Sequence, residues 1–244
     1  MIITKTSLEA LRTGFSALFK GGIAKAAPKS GPFVTTVSSS TKVETYGFLG
    51  DFPIFRKWVG PKRIRSMAEK AYQLINDAFE ATLGIHKHKI ADDNLGLYGP
   101  LVGGWGEDAG SLKDRLAFDA LANGHARVCY DGQNFFDTDH PMGPEDAARS
   151  NSTGNAAVQP WFLLDCSKPL KPVLYQERQA PTFAMVTDPE DAHVFQTGEY
   201  LMGGEARGGA GYTWWQLAHR CTSALNEANY KAIKEGTANL VDDE

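Results

Sequence analysis

The segment from Cys129 to Pro141 holds the densest group of chemically active side chains in the sequence. It reads Cys-Tyr-Asp-Gly-Gln-Asn-Phe-Phe-Asp-Thr-Asp-His-Pro. In an extended segment alternate side chains share a face, so Asp137 and Asp139 would lie together and His140 would lie opposite them. Two neighbouring carboxylates can bind a hard cation or act as a general acid and base. One hypothesis is therefore a divalent-metal-dependent hydrolase that uses Asp137, Asp139 and His140.

The same segment has a purely structural interpretation. Asp131-Gly132 is a strong turn signal between a short apolar run and the next aromatic pair, because both residue types tolerate positive φ. On this interpretation the later Asp and Thr side chains cap a turn, and His140 ends a strand. The sequence has no second acidic or histidine cluster at a recognised ligand spacing, and it has no nucleophile elbow or zinc motif. We therefore predict no catalytic residue, no metal and no cofactor.

Composition limits the class of protein. The chain has 244 residues, of which 22% are charged and 42% hydrophobic, values typical of a globular protein with a substantial core. A net charge of −4 argues against a dedicated nucleic-acid binder. The three cysteines, at 129, 166 and 221, show no Cys-x-x-Cys spacing, which favours reduced thiols in a reducing compartment. Neither a membrane span nor a secretory signal is expected.

An amphipathic helix is predicted near the N-terminus. It starts at a capping-box pattern at Thr6 and ends at Gly21-Gly22. Residues 26–41 follow as a linker rich in Pro, Gly, Ser and Thr. The helix either folds back on its own domain or docks as an arm on a neighbouring subunit, a scaffold or DNA phosphates. Its apolar stripe consists of Leu8, Leu11, Phe15, Leu18 and Phe19.

Residues 55–70 form a basic stretch with interleaved aromatic side chains. Such a mixture is typical of a nucleic-acid patch, and equally of a surface that faces an acidic neighbouring subunit. Apolar spacing favours a helix over about residues 62–73. The basic side chains are Arg56, Lys57, Lys62, Arg63, Arg65 and Lys70, with Phe55 and Trp58 between them.

Periodicity and turn residues predict the other elements. Residues 79–85 alternate as a strand, 96–106 form a loop, and 108–123 form a helix. The glycines between 203 and 211 lack a phosphate-loop spacing and indicate a flexible loop. Proline-bounded strands are expected at 161–164, 172–175 and 182–186, and a last helix from about 226 to 236.

Four blocks, in the same order along the chain, resemble the Mu-like prophage major head subunit family, the T-subunit coat proteins of tailed phages. The resemblance covers roughly residues 40–235. The blocks are Thr45-Tyr46-Gly47 through Trp58-Val59-Gly60, Phe79 to Ile85 followed by Ile90-Ala91-Asp92-Asp93-Asn94, the segment 129–141, and Trp161 through Glu177.

This resemblance implies an α+β protein with the Hong Kong 97-type capsid fold. Its parts would be an N-terminal arm and linker at 1–41, an extended-loop region at 42–95, a peripheral domain with a long spine helix at 96–187, and part of an axial domain at 188–244. In this family the extended loop is a long two-stranded hairpin, which competes with the helix favoured for 62–73. Family members also continue for several tens of residues beyond the equivalent of Glu244, so this chain is expected to be shortened there.

The implied function is that of a major capsid protein of a tailed bacteriophage or prophage, which assembles into an icosahedral shell around double-stranded DNA. Expected partners are other copies in pentamers and hexamers, a scaffold protein, a portal and a maturation protease, without sequence-specific DNA binding or a membrane. The location would be the virion capsid, assembled in the host cytoplasm. Subunit contacts are expected at Phe55, Arg56, Lys57, Trp58, Arg63 and Glu80 for the loop, and at Leu8, Leu11, Phe15 and Leu18 for the arm.

Overall fold

The computed structural model describes residues 4–47, 71–92, 96–142, 147–154, 158–238 and 240. These residues form an α+β protein, as expected. The helices are α1 (Lys5–Lys25), α2 (Lys87–Ala91), α3 (Tyr98–Gly110), α4 (Leu112–Asn123), α5 (Ala192–Thr197) and α6 (Glu227–Ala238).

Eleven strands are present among the described residues. They are β1 (Val34–Ser38), β2 (Val43–Tyr46), β3 (Tyr72–Ile75), β4 (Asp77–His86), β5 (His140–Met142), β6 (Ala147–Arg149), β7 (Ser152–Thr153), β8 (Trp161–Leu164), β9 (Val173–Val186), β10 (Glu199–Tyr212) and β11 (Ala218–Cys221).

The chain folds into two compact units, and each unit is built from three separate stretches. The first contains Met1–Lys29, Asn76–Arg115 and Glu177–Gly208. The second contains Ser30–Ile75, Leu116–Gln176 and Gly209–Glu244. These units do not follow the four consecutive segments expected from sequence, and the assignment of those segments to arm, loop, peripheral and axial domains stays a prediction.

In the first unit α1 packs against α3 at unusually short range. A Cβ added to Gly22 of α1 would lie 2.1 Å from the carbonyl oxygen of Gly103, and one added to Gly106 of α3 would lie 2.1 Å from that of Phe19. Only glycine permits two helix backbones to approach so closely. The contact buries Leu8, Phe15 and Phe19 of α1 in the core of this unit.

The sheet of the first unit contains β9, β10 and β4 in that order. β10 and β4 are antiparallel, with a register that runs from Glu199 opposite His86 to Gly208 opposite Asp77. One face of the sheet, which includes Met185 and Met202, joins the core with α1. The alternate residues Thr182 and Ala184 are exposed, so the other face is open within the described residues.

The second unit has its own core. Three small sheets consist of β7-β11-β8, β2-β3 and β5-β6, while β1 pairs with β9. Phe135, Tyr212 and Trp215 are nearly inaccessible to solvent at the centre of this core. A smaller cluster forms around Tyr46 and Leu74 at the antiparallel pair of β2 and β3.

Three of the predicted helices are present among the described residues, with different ends. Helix α1 begins earlier than expected, because Thr4 rather than Thr6 forms the capping box with Ser7. It also continues through Gly21-Gly22 to Lys25, because Gly22 is the residue that the contact with α3 requires. The helix expected over 108–123 begins at Leu112, and the expected loop at 96–106 is mostly α3.

The strand predictions were partly wrong. The runs expected at 172–175 and 182–186 belong to one strand, β9, which includes Pro181. β9 lies between β1 and β10 in the order of its sheet. The glycines at 203–211 form strand β10 rather than a loop, and a Cβ on Gly211 would lie 2.5 Å from the Tyr72 hydroxyl. At Gly211 the absence of a side chain permits this close packing.

Two further expectations concern the helix favoured over residues 62–73 and the absence of a membrane span. Residues Tyr72 and Gln73 lie in strand β3, so a helix that extends to 73 is wrong, and residues 62–70 lie outside the described residues. Among the described residues, no helix has the length and hydrophobicity needed to cross a membrane.

Candidate functional site

The Cys129–Gly132 turn places two of its side chains against one buried histidine. The turn closes through hydrogen bonds from the Gly132 amide to the Cys129 carbonyl (3.2 Å) and from the Cys129 amide to the Gln133 carbonyl (2.8 Å). Gly132 has φ +91°, which explains the glycine. The hairpin-like corner predicted at Asp131-Gly132 is therefore confirmed.

Asp131 lies at the centre of this cluster, because its two carboxylate oxygens contact three other residues. Its Oδ1 accepts hydrogen bonds from the Cys129 Sγ (3.1 Å) and the Gln133 amide (3.0 Å). Its Oδ2 lies 2.6 Å from His140 Nδ1, and the two side chains are 3% and 0% exposed. The His140 ring stacks on Trp215, with ring centroids 4.0 Å apart and planes inclined by 8°.

The electrostatics of the cluster disfavour nucleophilic chemistry. Burial, together with the neighbouring Asp131 carboxylate, raises the pKa of the Cys129 thiol. Burial also pulls the pKa of Asp131 upward, but hydrogen bonds from His140 and Cys129 outweigh it and leave that pKa below its usual value. A protonated thiol that donates to an ionised carboxylate is a structural group, because nucleophilic cysteines need thiolate character.

The ligand atoms of Cys129, Asp131 and His140 all lie within 4.8 Å of one another, which is a spacing a metal ion could use. Each of these atoms already takes part in a hydrogen bond inside the cluster. A metal would have to break the 2.6 Å contact between Nδ1 and Oδ2, since ligands around a tetrahedral zinc lie farther apart than that. The arrangement is that of a hydrogen-bonded polar cluster, in which the Nε2 of His140 lies buried with no hydrogen-bond partner among the described residues.

The structure separates the three residues of the hydrolase hypothesis. Asp139 is exposed, and His140 is fully buried and faces Asp131. The Asp137 carboxylate accepts hydrogen bonds from the amides of Asn134 (3.3 Å) and Thr138 (2.8 Å), as a turn cap does. These residues do not converge on a common point, and no finding supports the hydrolase.

Sequence reasoning missed the importance of Asn151. This fully buried side chain donates from Nδ2 to the carbonyl oxygens of Phe135 (2.8 Å), Trp215 (3.1 Å) and Ala218 (3.1 Å). Its Oδ1 accepts from the Asp137 amide at 2.9 Å. A lone asparagine in a polar loop carries no signal of this role, whereas the turn at Asp131 did indicate where the backbone reverses.

Comparison with known proteins identifies the family. The model of the Mu-like prophage major head subunit gpT family matches residues 8–244. The chain belongs to this family. It is 40% identical over 226 residues to the major capsid protein of Escherichia phage Mu, an alignment that covers 89% of this chain and 74% of that protein. It is 38% identical over 242 residues to the Mu-like prophage FluMu major head subunit of Haemophilus influenzae, covering 95% and 79% respectively.

Solved capsids share the fold of this Mu-like head subunit. A chain from the procapsid of bacteriophage JBD30 superposes with a TM-score of 0.84 at 41% identity, covering 97% of this chain and 82% of that one. A chain from the JBD30 capsid gives 0.75 at 30% identity, covering 98% and 82%. The expected Hong Kong 97-type capsid fold is confirmed, and the function is that of a major head subunit.

The residues predicted for the arm contact occupy two environments. Leu8 and Phe15 are each 6% exposed in the core of the first unit, and Leu11 packs against that core. Leu18 is 44% exposed. In this conformation the helix is folded on its own chain, and of the four residues Leu18 offers the largest exposed surface. An interface role for these residues stays a prediction.

Of the residues predicted for the loop contact, only Glu80 is described. It is exposed on β4, directly opposite Glu205 of β10. The other residues lie outside the described part of the chain, and their role in a subunit contact stays a prediction. They are Phe55, Arg56, Lys57, Trp58 and Arg63.

Proposed function

We propose that this head subunit assembles with copies of itself into rings of five and six that close into a shell around phage DNA. Membership in the Mu-like head subunit family carries the proposal, and the names of the similar JBD30 assemblies, a procapsid and a capsid, support it. A shell of one subunit type needs heterologous contacts, in which different surfaces of neighbouring copies meet and the rotation closes a ring. Many weak contacts of this kind add up to a stable assembly.

We also propose where the subunit is made and which proteins assist its assembly. The subunit would be made in the host cytoplasm and end in the virion capsid. A scaffold, a portal and a maturation protease would take part in assembly. DNA would be enclosed without sequence-specific recognition, in keeping with a net charge of −4. The subunit would act structurally and not as an enzyme, in keeping with the contacts that already engage Cys129 Sγ and His140 Nδ1 at the Asp131 carboxylate.

The open sheet face of the first unit offers one contact for the extended loop of a neighbour. Glu80 and Glu205 are directly opposite in an antiparallel pair, where like charges destabilise a sheet. Cations from a neighbouring copy would offset that repulsion. The basic residues Arg56, Lys57 and Arg63 supply such charge, and we propose that they contact this pair.

The test of the proposed function is direct observation of assembly. The purified chain would be examined by size-exclusion chromatography and negative-stain electron microscopy over a range of protein and salt concentrations. Rings, sheets or shells would support the proposal, whereas a monomer under all conditions would contradict it for this chain.

The loop contact has its own test. Charge reversal of Arg56, Lys57 and Arg63 to Glu should lower the yield of assembled particles. A matched control reverses three exposed lysines elsewhere, Lys89, Lys231 and Lys234, and so changes the net charge equally. Equal yields from the two triple variants would refute the loop contact and leave the shell function standing.

A further inference from the structure

Strand β4 is an unprotected edge of its sheet. It is the last strand in the order β1-β9-β10-β4, so among the described residues only one of its sides is paired. Its register with β10 runs from Asp77 to His86 without a bulge, and its sequence contains no lysine or proline. Bulges, lysines and prolines are the usual features that keep an edge strand from pairing with another chain. The other side of β4 can therefore accept an added strand.

A cavity of about 390 Å³ opens beside this edge, within the first unit. It is lined by β4, β9 and β10 on one side and by α1, α3 and α4 on the other. Ala81 of β4 and Asp108 of α3 both line the cavity and are exposed, so its mouth lies between the edge strand and α3. A strand added to β4 would cover this mouth, and a side chain on the inner face of that strand would enter the cavity.

The interior of the cavity suits an aromatic side chain. Phe19 and Trp105 line it edge to face, with ring centroids 5.8 Å apart. A Cβ added to Gly204 would lie 3.7 Å from each of these side chains, and Gly204 is directly opposite Ala81 of β4. Directly opposite residues share a face of the sheet, so Ala81 also faces the two rings. A pocket beside a strand edge is a known way to select an extended segment, because backbone pairing gives affinity and the pocket gives specificity.

The opposite face of the sheet is acidic at the same position. Glu80 precedes Ala81, so its side chain leaves β4 on the other face, where Glu205 of β10 lies directly opposite it. Arg207 lies two positions further along β10, and Arg115 at the cavity already donates to Asp108 at 2.7 Å. The two glutamates therefore favour an added strand that carries a cation beside its aromatic residue, because consecutive side chains of a strand point to opposite faces.

Residues 54–59, which lie outside the described part of the chain, have the sequence that such a strand requires. They read Ile-Phe-Arg-Lys-Trp-Val, between Pro53 and Gly60-Pro61. A short run of aromatic and β-branched residues bounded by proline and glycine favours a strand. Lys57 and Trp58 are consecutive, so a strand that places Trp58 in the cavity places Lys57 on the face of Glu80.

We propose that residues 54–59 of one copy add as a strand to the free edge of β4 in a neighbouring copy, with Trp58 in the cavity and Lys57 beside Glu80. The contact rests on the proposed shell function. It deepens the loop contact described above, because it adds backbone pairing and an apolar anchor to the attraction between charges. Different surfaces of the two copies meet, as the closure of a ring requires.

Cross-linking between two full-length chains of different size tests the pairing. Cys166, the native cysteine that is not buried, is replaced by serine in both chains. A tagged Lys57→Cys chain is mixed with an untagged Glu80→Cys chain and treated with a short bismaleimide during assembly. We expect a product that contains one copy of each chain. Ala81→Cys is the matched control, because its side chain lies on the other face of β4, and it should give several-fold less product.

Substitutions at the cavity test the anchor. Trp58→Ala should raise the protein concentration needed for assembly about tenfold, as loss of an aromatic anchor does. Ala81→Lys should have a similar effect, because it places a charged side chain at the mouth of the cavity. Ala78→Lys makes the same change at an exposed position of β4 that does not line the cavity, and it should leave assembly unchanged. Thermal unfolding of each variant must match the wild-type chain.

The outcomes distinguish this contact from the function it rests on. If the wild-type chain forms no assemblies at all, the proposed function fails and this contact fails with it. If the wild-type chain assembles and Trp58→Ala does so equally well, the contact alone is refuted. Equal cross-linking at positions 80 and 81 would also refute it, since a paired strand separates the two faces. A double variant, Lys57→Cys with Glu80→Cys, that cross-links only within one chain would assign the edge to the chain's own segment and overturn the proposal.

Discussion

The imidazole of His140 lies flat on the indole of Trp215, with ring centroids 4.0 Å apart, while its Nδ1 lies 2.6 Å from the Asp131 carboxylate. This relationship links the 129–141 segment to the 3-10 turn that precedes β11. His140, one of the three residues of the hydrolase hypothesis, therefore helps to hold the core of the second unit together. A buried carboxylate such as that of Asp131 is costly to separate from its hydrogen-bond partners, because it cannot then regain contacts with water.

Asp131→Asn should destabilise the chain by about 2 kcal/mol, because it removes a buried carboxylate that accepts hydrogen bonds from Cys129 and Gln133 and faces His140. Urea unfolding measured by fluorescence would give the free energy of unfolding. Asp139→Asn is the matched control, since Asp139 is exposed and its substitution should change stability by less than about 0.5 kcal/mol. Equal stability of the two variants would show that the hydrogen-bonded cluster does not support the fold.

His219 should make the fold sensitive to mild acid. Burial lowers its pKa from 6.5 to about 4, so the folded chain binds fewer protons than the unfolded chain between these two values. Stability should therefore fall as pH drops from about 6.5 towards 4, by up to about 3 kcal/mol, and should be unaffected by this group above pH 7.

To test this, the free energy of unfolding would be measured as a function of pH in two variants, and the slopes would be compared. His219→Gln should flatten the slope between pH 6.5 and 4.5, because the titrating group is gone. His125→Gln, which replaces an exposed histidine, should keep it. An unchanged slope in His219→Gln would mean that another group causes the pH dependence.

The glycines of α1 offer a comparison within one helix. Gly22→Ala should destabilise the chain by about 2 kcal/mol, because its Cβ would meet the backbone of α3. Gly14→Ala should raise stability by about 0.5–1 kcal/mol, because nothing lies within 4 Å of its added Cβ and alanine favours helices. Thermal melts of both variants test this, and melting of Gly22→Ala at or above the wild-type temperature would rule out the close contact of α1 and α3.

Local signals in the sequence predicted the elements better than their ends. The apolar stripe that includes Leu8 and Phe15 indicated α1 correctly, and alternation indicated β4. Glycine was the main source of error, because it normally ends helices and strands. Here Gly22 and Gly106 lie inside helices and Gly211 inside a strand, for the sake of packing partners that are distant in sequence.

In the candidate site, too, local sequence signals predicted a turn but not the tertiary contacts. The turn at Asp131-Gly132 depends on neighbouring residues and was predictable. The contacts of His140 with Trp215 and of Asn151 with three carbonyl oxygens depend on tertiary structure, and no local pattern encodes them. The four sequence blocks that resemble the family, rather than any single residue, indicated the fold.

Cryo-electron microscopy of particles assembled from the purified chain is the most direct test of the central claim. The proposed shell function predicts subunits with the fold described above, arranged in rings of five or six through contacts between different surfaces of neighbouring copies. Assemblies whose subunits meet only through identical surfaces in closed dimers, or a chain that stays monomeric at every concentration, would contradict it.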